Sequence, residues 1–413
     1  LRRNMDLSKE TEIKYAAKYA GTSNYWKYFI GQTAGLKRLN VFDKKKELEE
    51  QFSKWIENDP DRRKFYGNVL KDFSITYDTL KDFALLRTYL NEAAFRGPDI
   101  IGYASGFARL SRMLESENRD TAAIRQEVAR LLEASKDFFK DFDIYTEKEL
   151  FESLMSMFYN DIDPALQPTI FEKVRTKYKG NFSKFTYYAY NESIFKGKNE
   201  VFAYLTDPRK TPLDNDPLFM TALSLSGRFR QLSTEYKAAL DKLDHAKRLY
   251  LKGLMEMLPE KWFYPDANST MRLTYGHACS YFPRDAVKYK LYTTLDGIIQ
   301  KEDTCDREFL VPEKLKTLHR TKDYGPYGDN GIMYVCFITN NDITGGNSGS
   351  PVLNGKGELI GLAFDGNWEA MSGDIAFEPA LQRTIVVDIR YVLFVIDKFA
   401  GASHLVKEMK LEE

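Results

Sequence analysis

The sequence predicts an α+β, multidomain protein, with a large all-α region over residues 1–268 followed by a compact antiparallel β unit over 269–413. Three observations carry this. From Ser8 to about Leu258, apolar residues recur at three- and four-residue intervals with charges between them. After PEKWFYPDANST (259–270) the texture turns to alternation rich in β-branched and aromatic residues. Within that second texture, NGKG at 354–357 sits between two apolar runs, which signals a hairpin.

The helical elements read in order. KKKELEEQFSKWIEN (44–58) and TAAIRQEVARLLEASKDFFKDF (121–142) each carry one apolar stripe, and a long run from Pro217 to Leu258 keeps the same period. NDPD at 58–61 and RGPD at 96–99 punctuate the helices. No fixed-period repeat recurs, which disfavours a solenoid. The β unit is expected to use MRLTYGHACSYF, AVKYKLYTTL, IMYVCFIT, SPVLNGKGELIGLAF and RTIVVDI as strands, and RYVLFVIDKFA as a closing helix.

Composition excludes several classes. Lysine plus arginine number 60 and aspartate plus glutamate number 60, so no basic excess points to a nucleic-acid partner. No apolar run approaches the roughly 20 residues needed to cross a bilayer. Cys279, Cys305 and Cys336 are too few for a disulfide framework, and they lack the CxxC spacing of a zinc site. No metal and no cofactor is expected. The chain opens at Leu1 without an initiator Met, so a missing signal sequence says nothing about compartment.

One heptapeptide, GGNSGSP (345–351), carries chemistry. A serine nucleophile needs two converging backbone N–H groups for the oxyanion it creates. A glycine two positions earlier lets the chain turn so that Gly346 and Ser348 supply them. Gly349 keeps the approach to Ser348 open, and Pro351 starts the outgoing strand, where a missing donor is tolerated. The alternative is an ordinary Gly/Ser turn; the conjunction with NGKG and GLAF favours the nucleophile.

GNSGSPVLNGKGELIGLAFDGN resembles the nucleophile segment of chymotrypsin-fold serine proteases. More narrowly, NSGSPVLNGKGELIGLAFDGNWEAMSGDIAFEP and RTIVVDIRYVLFVIDK, with YFPRDAVKY (281–289) and NYWKYF (24–29), resemble bacterial serine dipeptidyl aminopeptidases. That family sets a helical domain over a chymotrypsin-like (trypsin-like) double β-barrel. The resemblance implies that the β unit is the C-terminal antiparallel β-barrel. It also implies oligopeptide substrates, a homodimer, and a periplasmic, cell-surface or secreted location in a bacterium.

Ser348 needs a histidine. The chain has four, His245, His277, His319 and His404. A double barrel of about twelve strands, at about 5–6 residues each plus turns, puts its histidine well over a hundred residues ahead of the serine, and His277 is only about seventy ahead. His245 lies on a charged helix, His319 in a basic segment and His404 near the C-terminus. The expectation is therefore that the base and its orienting acid lie in polypeptide ahead of Leu1, and that these 413 residues alone do not turn over peptides.

The resemblance also assigns substrate contacts. It implies that Asp365 pairs with the substrate α-ammonium, two residues or about 7 Å of extended chain from the nucleophile. Asn24 would add an amide acceptor. The simpler readings are a DG turn for Asp365 and a helix-cap or turn role after Gly21 for Asn24. Gly366 stands where one branch of the family carries an arginine and prefers acidic residues. Its lack of a side chain is similar to the dipeptidyl-peptidase VII branch, with broad, mainly hydrophobic preference. Two other functions compete: an endopeptidase of the glutamyl type, and a non-catalytic helical interaction protein.

Overall fold

The structure, a computed structural model, describes residues 1–117, 120–264 and 270–412. By packing, the chain forms two units. One comprises Leu1–Thr22 and Glu49–Phe263, the other Ser23–Leu48 and Tyr264–Glu413. The sequence reading kept residues 23–48 with the helices, whereas they pack in the unit that holds the sheet. The 268/269 junction lies outside the described residues.

The first unit is all helix. Its long members are Val69–Thr88, Thr121–Asp141, Ile144–Asp161 and, in tandem, Pro217–Glu235 and Lys237–Met257. Acceptor side chains start three of them: Asp120 takes the amides of Ala122 and Ala123, Asp143 that of Thr146, and Asp216 those of Leu218 and Phe219. The aromatic richness of the sequence goes into the core. Phe107, Phe151, Phe158, Tyr190 and Phe195 are fully buried, and the Tyr103 ring stacks on Phe138 at 3.8 Å.

That core also encloses a carboxylic acid. Glu147, 0% exposed, accepts the Tyr15 hydroxyl at 3.1 Å and the Ile100 amide at 3.2 Å. Burial, and then the nearby Asp99 charge, push its pKa up to about 7. Asp99 is itself paired with Lys18 at 2.7 Å.

The second unit is built on a five-stranded antiparallel sheet in the order β3-β4-β7-β6-β5. The strands are β3 (Tyr292–Thr294), β4 (Tyr334–Thr339), β5 (Pro351–Leu353), β6 (Leu359–Gly366) and β7 (Thr384–Asp388). β1 (Tyr281–Arg284) and β2 (Val287–Tyr289) pair as a separate hairpin. Alternation does its work in β4 and β7, where every second residue is buried. NGKG forms the expected turn. Asn354 accepts the Lys356 and Glu358 amides, and Gly357 takes φ +82°. RYVLFVIDKFA becomes helix, and Leu393 and Phe394 from it join Leu295, Leu315, Leu318 and Met333 in a second core.

Where the sequence predicts a barrel, the described residues form an open sheet. Among the described residues β3 and β5 are its two edges, and no closed barrel forms. The reason lies in the first expected strand. MRLTYGHACSYF contributes a single bridge, Ala278 to Thr339, before β1 begins. Met271, Leu273 and Tyr275 alternate as a strand would but stand 97%, 89% and 90% exposed. Two short helices that alternation did not anticipate, Leu295–Gln300 and Glu313–Thr321, fill the connection from β3 to β4.

Candidate active site

The loop between β4 and β5 carries Ser348, and hydrogen bonds fix its shape. The Asn347 side chain accepts the Thr344 amide at 3.0 Å, the Asn347 amide donates to the Thr344 carbonyl, and the Ser350 amide donates to the Asn347 carbonyl. Gly346 sits at φ +106° and Gly349 at φ +85°, conformations that side chains with a Cβ rarely adopt. A Cβ on either would meet open space, so backbone conformation rather than crowding is what calls for glycine. Among the described residues, neither the Gly346 nor the Ser348 amide is used in a hydrogen bond within the chain. Both remain available to an oxyanion.

β6 holds the other side. The Gly349 amide donates to the Ala363 carbonyl at 2.7 Å, and the Ala363 amide donates back to the Ser350 carbonyl at 2.9 Å. Register against β7 slips between Ala363 and Asp365, so Phe364 is an extra residue in a bulge. Its carbonyl accepts the exposed Ser348 hydroxyl at 3.1 Å. Ser348 and the Asp365–Gly366 pair are thus held together by one strand end. Asp365 is exposed; its Oδ1 accepts the Gly366 amide at 2.8 Å, and its Oδ2 has no partner among the described residues. A carboxylate oxygen left without a partner at this strand end suits a cationic ligand group.

The strand end is braced from behind. Asn367 and Arg383 exchange hydrogen bonds, and the Asn367 side chain also donates to the Leu381 carbonyl and to Glu369. The buried Arg383 guanidinium donates to the Ser280, Pro379, Ala380 and Gln382 carbonyls. The Tyr281 hydroxyl meets Glu369, and burial pushes its pKa up to about 12.

Asn24 lies on the helix Lys9–Arg38, an uninterrupted element with Glu10 and Glu12 in its first turn and Lys37 and Arg38 in its last. It is mid-helix, which removes the cap or turn reading. Positions 24, 28, 31, 35 and 38 share one helix face. From that face Tyr28 donates to Asp374 at 3.3 Å, and Arg38 pairs with Glu378 at 2.9 Å. A Cβ on Gly31 would fall 2.6 Å from Met371 Cγ, and one on Gly35 would fall 2.4 Å from Ser372 Oγ. Asn24 is exposed one turn, about 6 Å, ahead of Tyr28 on the same face. Among the described residues it makes no hydrogen bond to Ser348 or Asp365. Sequence reading missed Tyr28, Gly31, Gly35 and Met371; two glycines four apart inside a helix were the available signal.

No histidine meets the serine. His277 is exposed, with its amide on Asn340; His319 pairs with Asp296 at 2.6 Å; His245 and His404 stand on helix surfaces. Among the described residues no cluster of metal-ligating side chains occurs, and no helix is long and apolar enough to cross a membrane.

The peptidase S46 family model matches residues 1–411. The chain belongs to that family. The S46 chain is 39% identical over 411 residues to dipeptidyl-peptidase 7 of Porphyromonas endodontalis, covering 98% of this chain and 49% of that protein. It is 36% identical over 404 residues to the Asp/Glu-specific dipeptidyl-peptidase of Flavobacterium psychrophilum, covering 97% of this chain and 55% of that one. The crystal structure of Porphyromonas endodontalis DPP11 in complex with the dipeptide Arg-Glu superposes with TM-score 0.88 at 32% identity, covering 98% of this chain and 58% of that one. The S46 chain therefore spans about half the length of the curated relatives it matches.

Proposed function

We propose that the chain is the nucleophile-bearing part of a serine dipeptidyl aminopeptidase that releases dipeptides from free N-termini. The carrying observation is the exposed Ser348 hydroxyl, set between two positive-φ glycines and tied to the strand end of Asp365 and Gly366 in a peptidase S46 chain. Ser348 attacks the scissile carbonyl, and the Gly346 and Ser348 amides receive the oxyanion. Asp365 pairs with the substrate ammonium, and Asn24 adds an amide acceptor. The proton of Ser348 goes to a base supplied by polypeptide outside these 413 residues; the surroundings of the four histidines and the half-length match to relatives support this.

Gly366 supports a broad, mainly apolar preference for the residue before the scissile bond. The sheet is read as one half of a chymotrypsin-like double barrel that the base-bearing half completes. Periplasmic or cell-surface location and a homodimer belong to the same proposal; cell fractionation and solution mass measurement test them.

The deciding experiment gives the full-length enzyme matched peptides with free and acetylated N-termini and follows products by mass spectrometry. Successive dipeptides appear only from the free peptides, and Ser348→Ala abolishes them. Equal cleavage of the acetylated peptides overturns the reading in favour of an endopeptidase. Rapid dipeptide release by the 413-residue chain alone overturns the external base.

A further inference from the structure

The space that a side chain at position 366 would occupy has defined neighbours. A Cβ there would lie 3.1 Å from the Ala370 methyl and 3.7 Å from Met371 Cε. The other end of the same methionine is seated against the helix Lys9–Arg38. Its Cγ and Cβ would lie 2.6 and 2.9 Å from a Cβ on residue 31, closer than real Cβ contacts come. Met371 therefore fills a notch that exists because residue 31 is glycine, and its terminal methyl reaches the strand end at Gly366. It is only partly buried.

We propose that Met371 is a specificity-determining wall of the pocket beside Gly366, and that Gly31 sets how far its thioether reaches into that pocket. This rests on reading Gly366 as bordering the side chain that precedes the scissile bond. A methionine wall suits that role. The side chain is unbranched, polarizable and rotates about three bonds, so it reshapes around differently sized apolar groups at little cost. A β-branched or aromatic wall would instead select one shape.

The two positions push in opposite directions, and this makes the inference testable. In the full-length enzyme, kcat and KM are measured for dipeptidyl amides ending in Ala, Leu, Met or Phe. Met371→Ala deepens the pocket and raises kcat/KM for Phe relative to Ala by about tenfold or more, as one to two methylene-sized changes do. Gly31→Ala drives the thioether toward Gly366 and lowers the same ratio by about tenfold. In Gly31→Ala/Met371→Ala the added methyl still meets the Cβ of residue 371, but no thioether remains to be pushed toward Gly366, so the double variant follows Met371→Ala rather than the product of the single effects. Met371→Leu, of similar volume, stays within a few-fold of the parent.

A ratio between two substrates on one sample does not depend on the fraction of folded enzyme, so partial misfolding does not obscure the outcome. Unchanged ratios in both single variants, with a parent that releases dipeptides, overturn the role of Met371 and leave the proposed function standing. A parent that releases no dipeptides overturns both.

Discussion

Replacing Glu147 by glutamine perturbs the helical unit at one buried proton. The Glu147 carboxyl has a pKa of about 7 against an ordinary 4.5, a difference of 2.5, raised by burial first and by the Asp99 charge second. At 1.36 kcal/mol per pKa unit this amounts to about 3 kcal/mol. The folded chain binds the proton more tightly than the unfolded chain, so the stabilisation is complete below about pH 4.5 and is lost as pH rises to about 7. Lys18, the Ile100 amide and the Tyr15 hydroxyl favour the ionised form, but not enough to offset burial.

Glutamine keeps the shape, accepts from Ile100 through its carbonyl oxygen, and never ionises. Urea denaturation of parent and Glu147→Gln, followed by circular dichroism at intervals from about pH 5 to about pH 8, measures the gap. The variant gains on the parent by up to ~3 kcal/mol across that range. A gap that does not change with pH refutes the reasoning.

Four further outcomes are expected in the full-length enzyme. Ser348→Ala lowers kcat by at least about 10³-fold without a matching rise in KM, measured on dipeptidyl amides. Gly346→Ala forces a side chain into φ +106°, at a cost of about 1–3 kcal/mol, and turnover falls about 10²–10³-fold as the oxyanion donor is misaligned. Asp365→Asn removes a charge-assisted contact and weakens binding of free N-terminal peptides by about 10–100-fold; titration by inhibition kinetics reads this, and acetylated peptides show no change. Gly366→Arg shifts preference toward Asp or Glu beside the scissile bond; an unchanged substrate panel removes Gly366 from the pocket.

Some of this molecule could be read directly from its sequence. Short-range chemistry was the most legible. Asn354 and Gly357 close the hairpin that NGKG announced, and the glycines around Ser348 take the conformations their positions required. Periodicity gave the helices, because an apolar stripe has to be buried wherever its partner comes from. It could not name the partner. Residues 23–48 read as part of the helical region in the sequence, yet they belong with the sheet, since Gly31 and Gly35 admit Met371 and Ser372. Met271, Leu273 and Tyr275 show the opposite failure, a strand pattern without a strand to pair with. The bulge at Phe364 left no trace either, because one extra residue in a register is a property of two strands.

That bulge has a consequence for the resting protein. A hydroxyl whose hydrogen already points at the Phe364 carbonyl is under a safety catch. With its proton held there and, among the described residues, no base beside it, the alcohol stays a weak nucleophile. Any base that is to take that proton has to outcompete the Phe364 carbonyl for it first.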